Sequence, residues 1–245
     1  MYRILISLIG IFAFALIIFF RRFFSKLPQL IYWLFIDFKS RDPYAFNDYG
    51  CWFFVGRQGA GKTMSMVETL EQYRKKYPNL KIYTNFGYIH ETAPLLKLSD
   101  LLDRSLYNDD QGTIFAIDEI QNEFSCSTSK DFPESVLSVV TQQRKEHILI
   151  LCTSQVFSRV SKPLREQCFR AIECGTILGR YTMCRHYDGV DYADTYDMTE
   201  EQKRVHRPRI YYHSFVQTDE LRNCYDSYKI IERLDRNGFV SKIST

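Results

Sequence analysis

The sequence has no CxxC pair among its seven cysteines, so a zinc ribbon has little support. The number of thiols is odd, which does not suit a closed disulfide framework. Cys168, Cys174, Cys184 and His186 can be drawn together as a metal site, but their spacing matches no known ligand pattern. Reduced thiols facing a cytosolic compartment account better for the set, and Cys51 and Cys152 sit at apolar runs as ordinary buried thiols do. A large excess of one charge is also missing. The net charge is only +3, which excludes a strongly cationic coat for nucleic acid while leaving room for a local basic groove. There is no internal repeat and no low-complexity linker. Hydrophobic residues make up 45% and charged residues 25% of the chain, the balance of a globular protein with its own core.

Long apolar runs are scarce too, and the main one is Ile4–Phe20. It matches the short end of a transmembrane span. Phe23 and Phe24 extend it past Arg21 and Arg22, whose long stems can snorkel. A cleaved signal peptide needs small residues after the apolar core, and Arg-Arg-Phe-Phe follows instead. Residues 1–25 therefore read as an uncleaved membrane anchor. Arg3 precedes the run, whereas Arg21, Arg22, Lys26, Lys39 and Arg41 follow it, so the C-terminal side is expected to face the cytosol. Within 26–48, the aromatic stretch Leu27–Phe38 is too short to span. It reads either as an interfacial helix, with Tyr32 and Trp33 at headgroup level, or as a segment packed on the soluble part.

Residues 49–230 alternate short apolar runs with helical periodicity. Cys51–Val55, Lys81–Phe86, Thr113–Ile117 and Ile148–Cys152 read as buried parallel strands, and Phe169–Cys174 as a weaker fifth. Thr63–Lys76 and Pro133–Lys145 read as helices. This predicts an α/β domain with a mainly parallel sheet covered on both faces. Thr176–Tyr187 and Val190–Tyr196 flank Asp188-Gly189, which predicts a hairpin insertion over 176–196. Arg209–Val216 reads as one more strand, and 231–245 as a C-terminal tail.

Gly56-Arg57-Gln58-Gly59-Ala60-Gly61-Lys62-Thr63 matches G-x-x-x-x-G-K-[ST] in full, between an apolar strand and a helix. Gly56, Gln58, Gly59, Ala60 and Gly61 form a loop whose backbone N–H groups can converge on phosphate, at the positive end of the following helix. Lys62 reaches the β- and γ-phosphates, and the Thr63 hydroxyl suits Mg2+. The strand Ile114–Ile117 then runs into Asp118-Glu119. Asp118 is placed to hold the metal through water, and Glu119 to act as general base on an attacking water. No Asn/Thr-Lys-x-Asp guanine-reading motif is evident, which favours ATP over GTP.

The next strand, Ile148–Cys152, ends in Thr153-Ser154-Gln155. In phosphate-loop ATPases with an Asp-Glu pair, an added strand between the phosphate-loop and acidic strands presents a polar residue near the γ-phosphate. Gln155 is the first candidate for that role and Ser154 the second. Arg144, Arg159 and Arg165 are candidates for an arginine supplied to a neighbouring subunit's site.

Gly56–Thr63, Asp118-Glu119-Ile120-Gln121, Gln142–His147 leading into a strand, and Thr153-Ser154-Gln155 together resemble the ATPase domain of zonula occludens toxin (Zot)-like proteins. These are similar to filamentous phage assembly ATPases within the FtsK–HerA class. Arg209–Tyr228, with Tyr225-Asp226-Ser227-Tyr228, looks like the tail of that domain. The resemblance implies a motor in the bacterial inner membrane, working as a homo-oligomeric ring on single-stranded DNA, phage coat or assembly proteins. It departs from the familiar order, because here the apolar helix precedes the ATPase motifs. A nucleotide-binding membrane adaptor and a conjugation coupling ATPase are the alternatives. The basic run Lys203–Arg209 is a candidate contact for DNA phosphates, although such runs are usually solvated faces.

Overall fold

The computed structural model of the chain describes residues 2–40, 45–108, 111–127 and 132–225. The predicted tail 231–245 and the stretch Asp226–Tyr228 lie outside the described residues. The chain divides into two compact units, Met1–Pro43 and Tyr44–Thr245.

The first unit is one helix, α1 (Tyr2–Ser40), which continues through Pro28. The apolar run and the aromatic stretch 27–38 are therefore parts of a single element. Phe19, Phe20, Phe23, Phe24, Ile31, Trp33, Phe35 and Phe38 are all exposed along it. Among the described residues, no helix is long and apolar enough to cross a membrane. Most side chains of Ile4–Phe20 are not among those described.

The second unit is built on an eight-stranded sheet. Its strands are β1 (Gly50–Val55), β2 (Lys81–Thr84), β3 (Ala93–Pro94), β4 (Thr113–Ile117), β5 (Ile148–Ser154), β6 (Cys168–Ile177), β7 (Tyr181–Asp188) and β8 (Arg209–Val216). The spatial order is β3-β2-β4-β5-β1-β6-β7-β8. From β3 to β6 neighbours run parallel, and β7 and β8 join antiparallel. Thus β5 lies between the phosphate-loop strand β1 and the acidic strand β4, the added strand expected from the sequence.

β1, β4 and β5 are buried along their whole length. That burial explains their unbroken apolar runs, because both faces of a parallel sheet are covered. Side chains alternate between two cores, as the two-residue strand period requires. Phe53, Phe115, Ile117, Ile150 and Cys152 face one core, with Val136, Val140, Phe157 and Tyr192. Trp52, Phe54, Ile114, Leu149 and Leu151 face the other, with Met66, Val67 and Leu70. The latter three belong to α2 (Lys62–Lys76), and Val136 and Val140 to α3 (Glu134–Gln142). Short helices α4 (Lys162–Arg165), α5 (Gly189–Thr195), α6 (Glu200–His206) and α7 (Asp219–Arg222) complete the unit.

The hairpin turns elsewhere than at the Asp188-Gly189 pair that the sequence predicts. β6 and β7 do form one, but it turns at Leu178 and Gly179, both at positive φ. Val190–Tyr196 is not a strand, since most of it is helix α5. The Asp188 carboxylate accepts from the N–H groups of Val190 (2.9 Å) and Asp191 (3.3 Å), so Asp-Gly serves here as a helix N-cap. Gly189 is required for packing: a Cβ there would meet the Cys168 carbonyl oxygen at 1.9 Å.

Candidate functional site

The site lies at the C-terminal ends of β1, β4 and β5, where ligands gather in open α/β sheets. β1 delivers the chain into the loop Gly56–Thr63, and Gly59 (φ 75°) and Gly61 (φ 82°) curl it through the left-handed region. The loop is seated on the far strands. Thr176 of β6 donates its hydroxyl to the Ala60 carbonyl at 3.0 Å. Thr182 of β7 lies 2.9 Å from the Thr176 hydroxyl and accepts from the Gln217 amide at 2.8 Å. A Cβ on Gly61 would meet the Thr176 hydroxyl at 2.4 Å, so this glycine is needed for close approach as well as for its dihedral.

Lys62 is buried, and its Nζ donates to the Arg57 carbonyl at 3.2 Å, inside the curl of the loop. Thr63, in the first turn of α2, donates its hydroxyl to Asp118 (Oδ1 3.1 Å, Oδ2 3.2 Å). Asp118 is 7% exposed. Burial pushes its carboxyl above the usual carboxylate range, against hydrogen bonds from Thr153 and Thr63 that lower it. Thr153, near the end of β5, also accepts the Glu119 backbone N–H at 2.8 Å. One hydroxyl therefore ties both acidic residues to the added strand.

Glu119 itself is at φ 53°. Gln155 donates to its Oε1 at 3.1 Å, and Gln121 donates to its Oε2. Gln155, the first candidate at the end of β5, thus meets the candidate base. Ser154, the second candidate, does not: its hydroxyl donates to the Val156 carbonyl in its own turn.

Two contributors were missed in the sequence. Asn85, just past β2, brackets the backbone of Asp118. Its Oδ1 accepts the Asp118 N–H at 2.8 Å, and its Nδ2 donates to the Asp118 carbonyl at 3.2 Å. Nothing in a single Asn after a strand announces this. Thr153 opens the tripeptide at the end of β5, where a threonine carries no signal of this role. Tyr225 also belongs to this neighbourhood: burial and then the Asp118 carboxylate push its phenol up to about 12. Its ring packs edge-on against Phe86 at 5.9 Å.

A cavity of about 450 Å³ opens beside the loop, lined by Val55–Ala60, Glu173–Thr176, Arg185 and Tyr192. Gln58, Gly59 and Ala60 thus face a space of ligand size. Its back wall is braced by Arg207, which pairs with Glu173 at 2.9 Å and lies over Tyr187 (4.7 Å) and Tyr192 (4.3 Å). The basic run is consequently divided. Arg207 is buried in this brace, Lys203 pairs with Glu200 at 2.9 Å, and Arg204, His206 and Arg209 remain exposed.

The three candidate arginines differ in their surroundings. Arg144 lies over the Tyr49 ring at 5.8 Å, Arg165 over Phe157 at 6.0 Å, and Arg159 is exposed. Cys174 and Cys184 face each other across β6 and β7, whereas Cys168 pairs in register with Cys51. Cys168, Cys174, Cys184 and His186 therefore form no common cluster, and among the described residues a different set, Glu71, His90 and Cys224, has that geometry.

The donor set fits a magnesium–nucleotide complex. A hydroxyl and a carboxylate converge at one point, both hard oxygen donors. A buried ammonium and a curled, glycine-rich backbone stand beside them.

No known family profile and no curated protein matches the sequence. Solved structures do match the fold. The N-terminal domain of zonular occludens toxin from Neisseria meningitidis superposes with a TM-score of 0.50 at 16% identity, covering 72% of this chain and 98% of that one. The DNA-packaging ATPase B204 from Sulfolobus Turreted Icosahedral Virus gives a weaker likeness, with a TM-score of 0.42 at 11% identity over 58% of this chain and 93% of that one. The flagellar accessory protein FlaH from Methanocaldococcus jannaschii reaches 0.40 at 10% identity, over 56% and 77%. The chain therefore has the mixed α/β fold of a phosphate-loop nucleotide-binding domain, shared with the Zot N-terminal domain.

Proposed function

We propose that this protein is a Mg2+-dependent ATP hydrolase, anchored in the bacterial inner membrane by its N-terminal helix, that powers DNA translocation or the assembly and extrusion of a filamentous phage. The observation that carries the enzyme reading is Glu119. It follows directly on the Thr63–Asp118 pair and is held by Gln155 and Gln121 beside the phosphate loop.

The roles follow from the chemistry of each group. The loop N–H groups and Lys62 bind and orient phosphates. Thr63 and Asp118 would hold Mg2+, which supplies charge neutralisation on the phosphates when bound. Glu119 accepts the proton of a water at one of its carboxylate oxygens, and Gln155 positions that carboxylate. An arginine from a neighbouring copy completes such a site in a ring, and Arg144 and Arg159, both exposed, are the candidates free to be donated.

Membrane anchoring is supported by the apolar run and by the exposed aromatic side chains along α1. The positive charges after the run favour a cytosolic catalytic unit. The cargo, whether single-stranded DNA or coat and assembly proteins, is inferred from the resemblance noted in the sequence.

A second reading is a nucleotide-gated membrane adaptor with slow turnover. It is favoured by one observation: both Glu119 oxygens accept amide hydrogen bonds, so the base is engaged before any water is activated. Phosphate release by the full chain in detergent, with and without single-stranded DNA, separates the two. Stimulation by DNA supports the motor. Tight nucleotide binding with negligible turnover under both conditions supports the adaptor. Alkaline extraction of membranes tests the anchor, since release of the chain into the supernatant would rule out a spanning helix.

A further inference from the structure

Far from the acidic pair in sequence, three donors from separate segments converge. Glu71 lies in α2, His90 follows β2, and Cys224 follows α7. Their ligand atoms all lie within 4.8 Å of one another. Glu71 Oε1 is 3.8 Å from His90 Nε2 and 3.9 Å from Cys224 Sγ. A tetrahedral zinc ion, with bonds of about 2.0–2.3 Å, spaces such atoms roughly 3.3–3.6 Å apart. The two distances from Glu71 are therefore within a few tenths of an ångström of zinc spacing, and His90 and Cys224, within 4.8 Å of each other, close the triangle by side-chain rotation.

The surroundings orient these groups as outer partners of a metal site do. Arg74 donates to Glu71 Oε2 at 2.8 Å, and the Tyr88 hydroxyl donates to Glu71 Oε1 at 2.5 Å. The Tyr88 ring stands edge-on to His90 at 5.7 Å. The Ile89 N–H donates to the Cys224 carbonyl at 2.9 Å, locking the two segments together. Cys224 is buried, while His90 is exposed and gives a path for entry.

We propose that Glu71, His90 and Cys224 form a zinc site that staples the end of the domain to the phosphate-loop helix. The donor chemistry selects the ion. A thiol and an imidazole are poor ligands for Mg2+ or Ca2+ and good ones for Zn2+. On binding, the Cys224 thiol gives its proton to solvent and ligates as thiolate, with one coordination position left for water. Closing this staple holds the residue after Cys224, Tyr225, against Phe86 and near Asp118. Metal binding here is independent of ATP hydrolysis, and none of its readouts uses turnover.

The test uses the full chain, loaded with Zn2+ and dialysed for metal analysis, or titrated with Co2+ as a spectroscopic probe. One equivalent of zinc per chain is expected. Co2+ should give a thiolate charge-transfer band and the intense visible bands of four-coordination. Cys224→Ser should abolish the thiolate band. Tyr88→Phe, which keeps all three ligands and the ring, should weaken Co2+ binding by about 10–100-fold. Lys62→Ala should retain the metal. Circular dichroism confirms that each variant is folded, and His90→Gln, at an exposed position, removes a ligand with little risk to the fold. The proposal is overturned if the wild-type chain shows no thiolate band, or if the band survives unchanged in Cys224→Ser or His90→Gln.

Discussion

Replacing Thr153 by valine removes one hydroxyl and almost nothing of the side chain's shape. That hydroxyl accepts the Glu119 N–H at 2.8 Å and donates to Asp118 Oδ1. Thr153 is fully buried, so water cannot take its place without a rearrangement of the strand end. An orphaned buried donor costs about 1–3 kcal/mol, and a hydrogen bond to a charged group contributes about 1.5–3 kcal/mol. Thr63 still satisfies Asp118, which reduces the second contribution. A net destabilisation of about 2–4 kcal/mol is expected. For a domain of this size each kcal/mol lowers Tm by about 2–4 °C, so the drop should be roughly 4–16 °C by scanning calorimetry. Thr153→Ser keeps the hydroxyl and loses a methyl group, at a cost of about 1 kcal/mol. The comparison isolates the hydrogen bonds. A valine variant as stable as the serine variant would refute the claim that this hydroxyl holds the acidic pair to β5.

Gly61→Ala combines left-handed strain of about 1–2 kcal/mol with overpacking against Thr176 of about 1–3 kcal/mol. Gly59→Ala meets open space and should show the strain alone, so urea denaturation should rank Gly61→Ala clearly below Gly59→Ala. Asn85→Ala leaves the Asp118 N–H and carbonyl unpaired, and should lower stability by about 1–3 kcal/mol while weakening Mg2+-dependent nucleotide binding, read by titration calorimetry. His213 is held up at about 9, above the ordinary histidine value of 6.5, by the neighbouring Cys184 and then by Glu68. Because the folded-state value is the higher one, this stabilisation is complete below pH 6.5 and is lost as pH rises towards 9. The Cys184 thiol is held down at about 5, by Cys174 and then by His213, and so contributes stability that rises over the same range. The two offset, and urea midpoints should stay nearly level between those limits, a steep fall with pH refuting the pairing.

The parallel sheet and the phosphate loop were legible because each has a local cause. Doubly covered strands must be apolar at every position, and phosphate binding demands glycines and a lysine at set intervals. β5 and β8 were legible as strands from their sequence alone, whereas the antiparallel direction of β8 was not. Asp188-Gly189 misled because Asp followed by Gly serves two local structures. The choice between hairpin turn and helix N-cap was made by packing of Gly189 against Cys168, a contact the sequence does not display. Thr153 and Asn85 were obscure for a related reason. Their roles depend on β2, β4 and β5 lying side by side, and threonine or asparagine at a strand end has many uses. Arg207 was hidden within a basic run that suited a solvated face, yet it pairs with Glu173 across a cavity wall.

The central claim, that this site hydrolyses ATP through Glu119, is tested most directly by steady-state phosphate release and nucleotide binding measured on the same preparations. The account predicts Mg2+-dependent turnover in the wild-type chain. Glu119→Gln should retain nucleotide binding and lose about 10²–10⁴-fold in rate, as expected for a missing general base. Lys62→Ala should lose binding as well. Turnover in Glu119→Gln within a few-fold of wild type would contradict the assignment of the base and, with it, the mechanism proposed for the site.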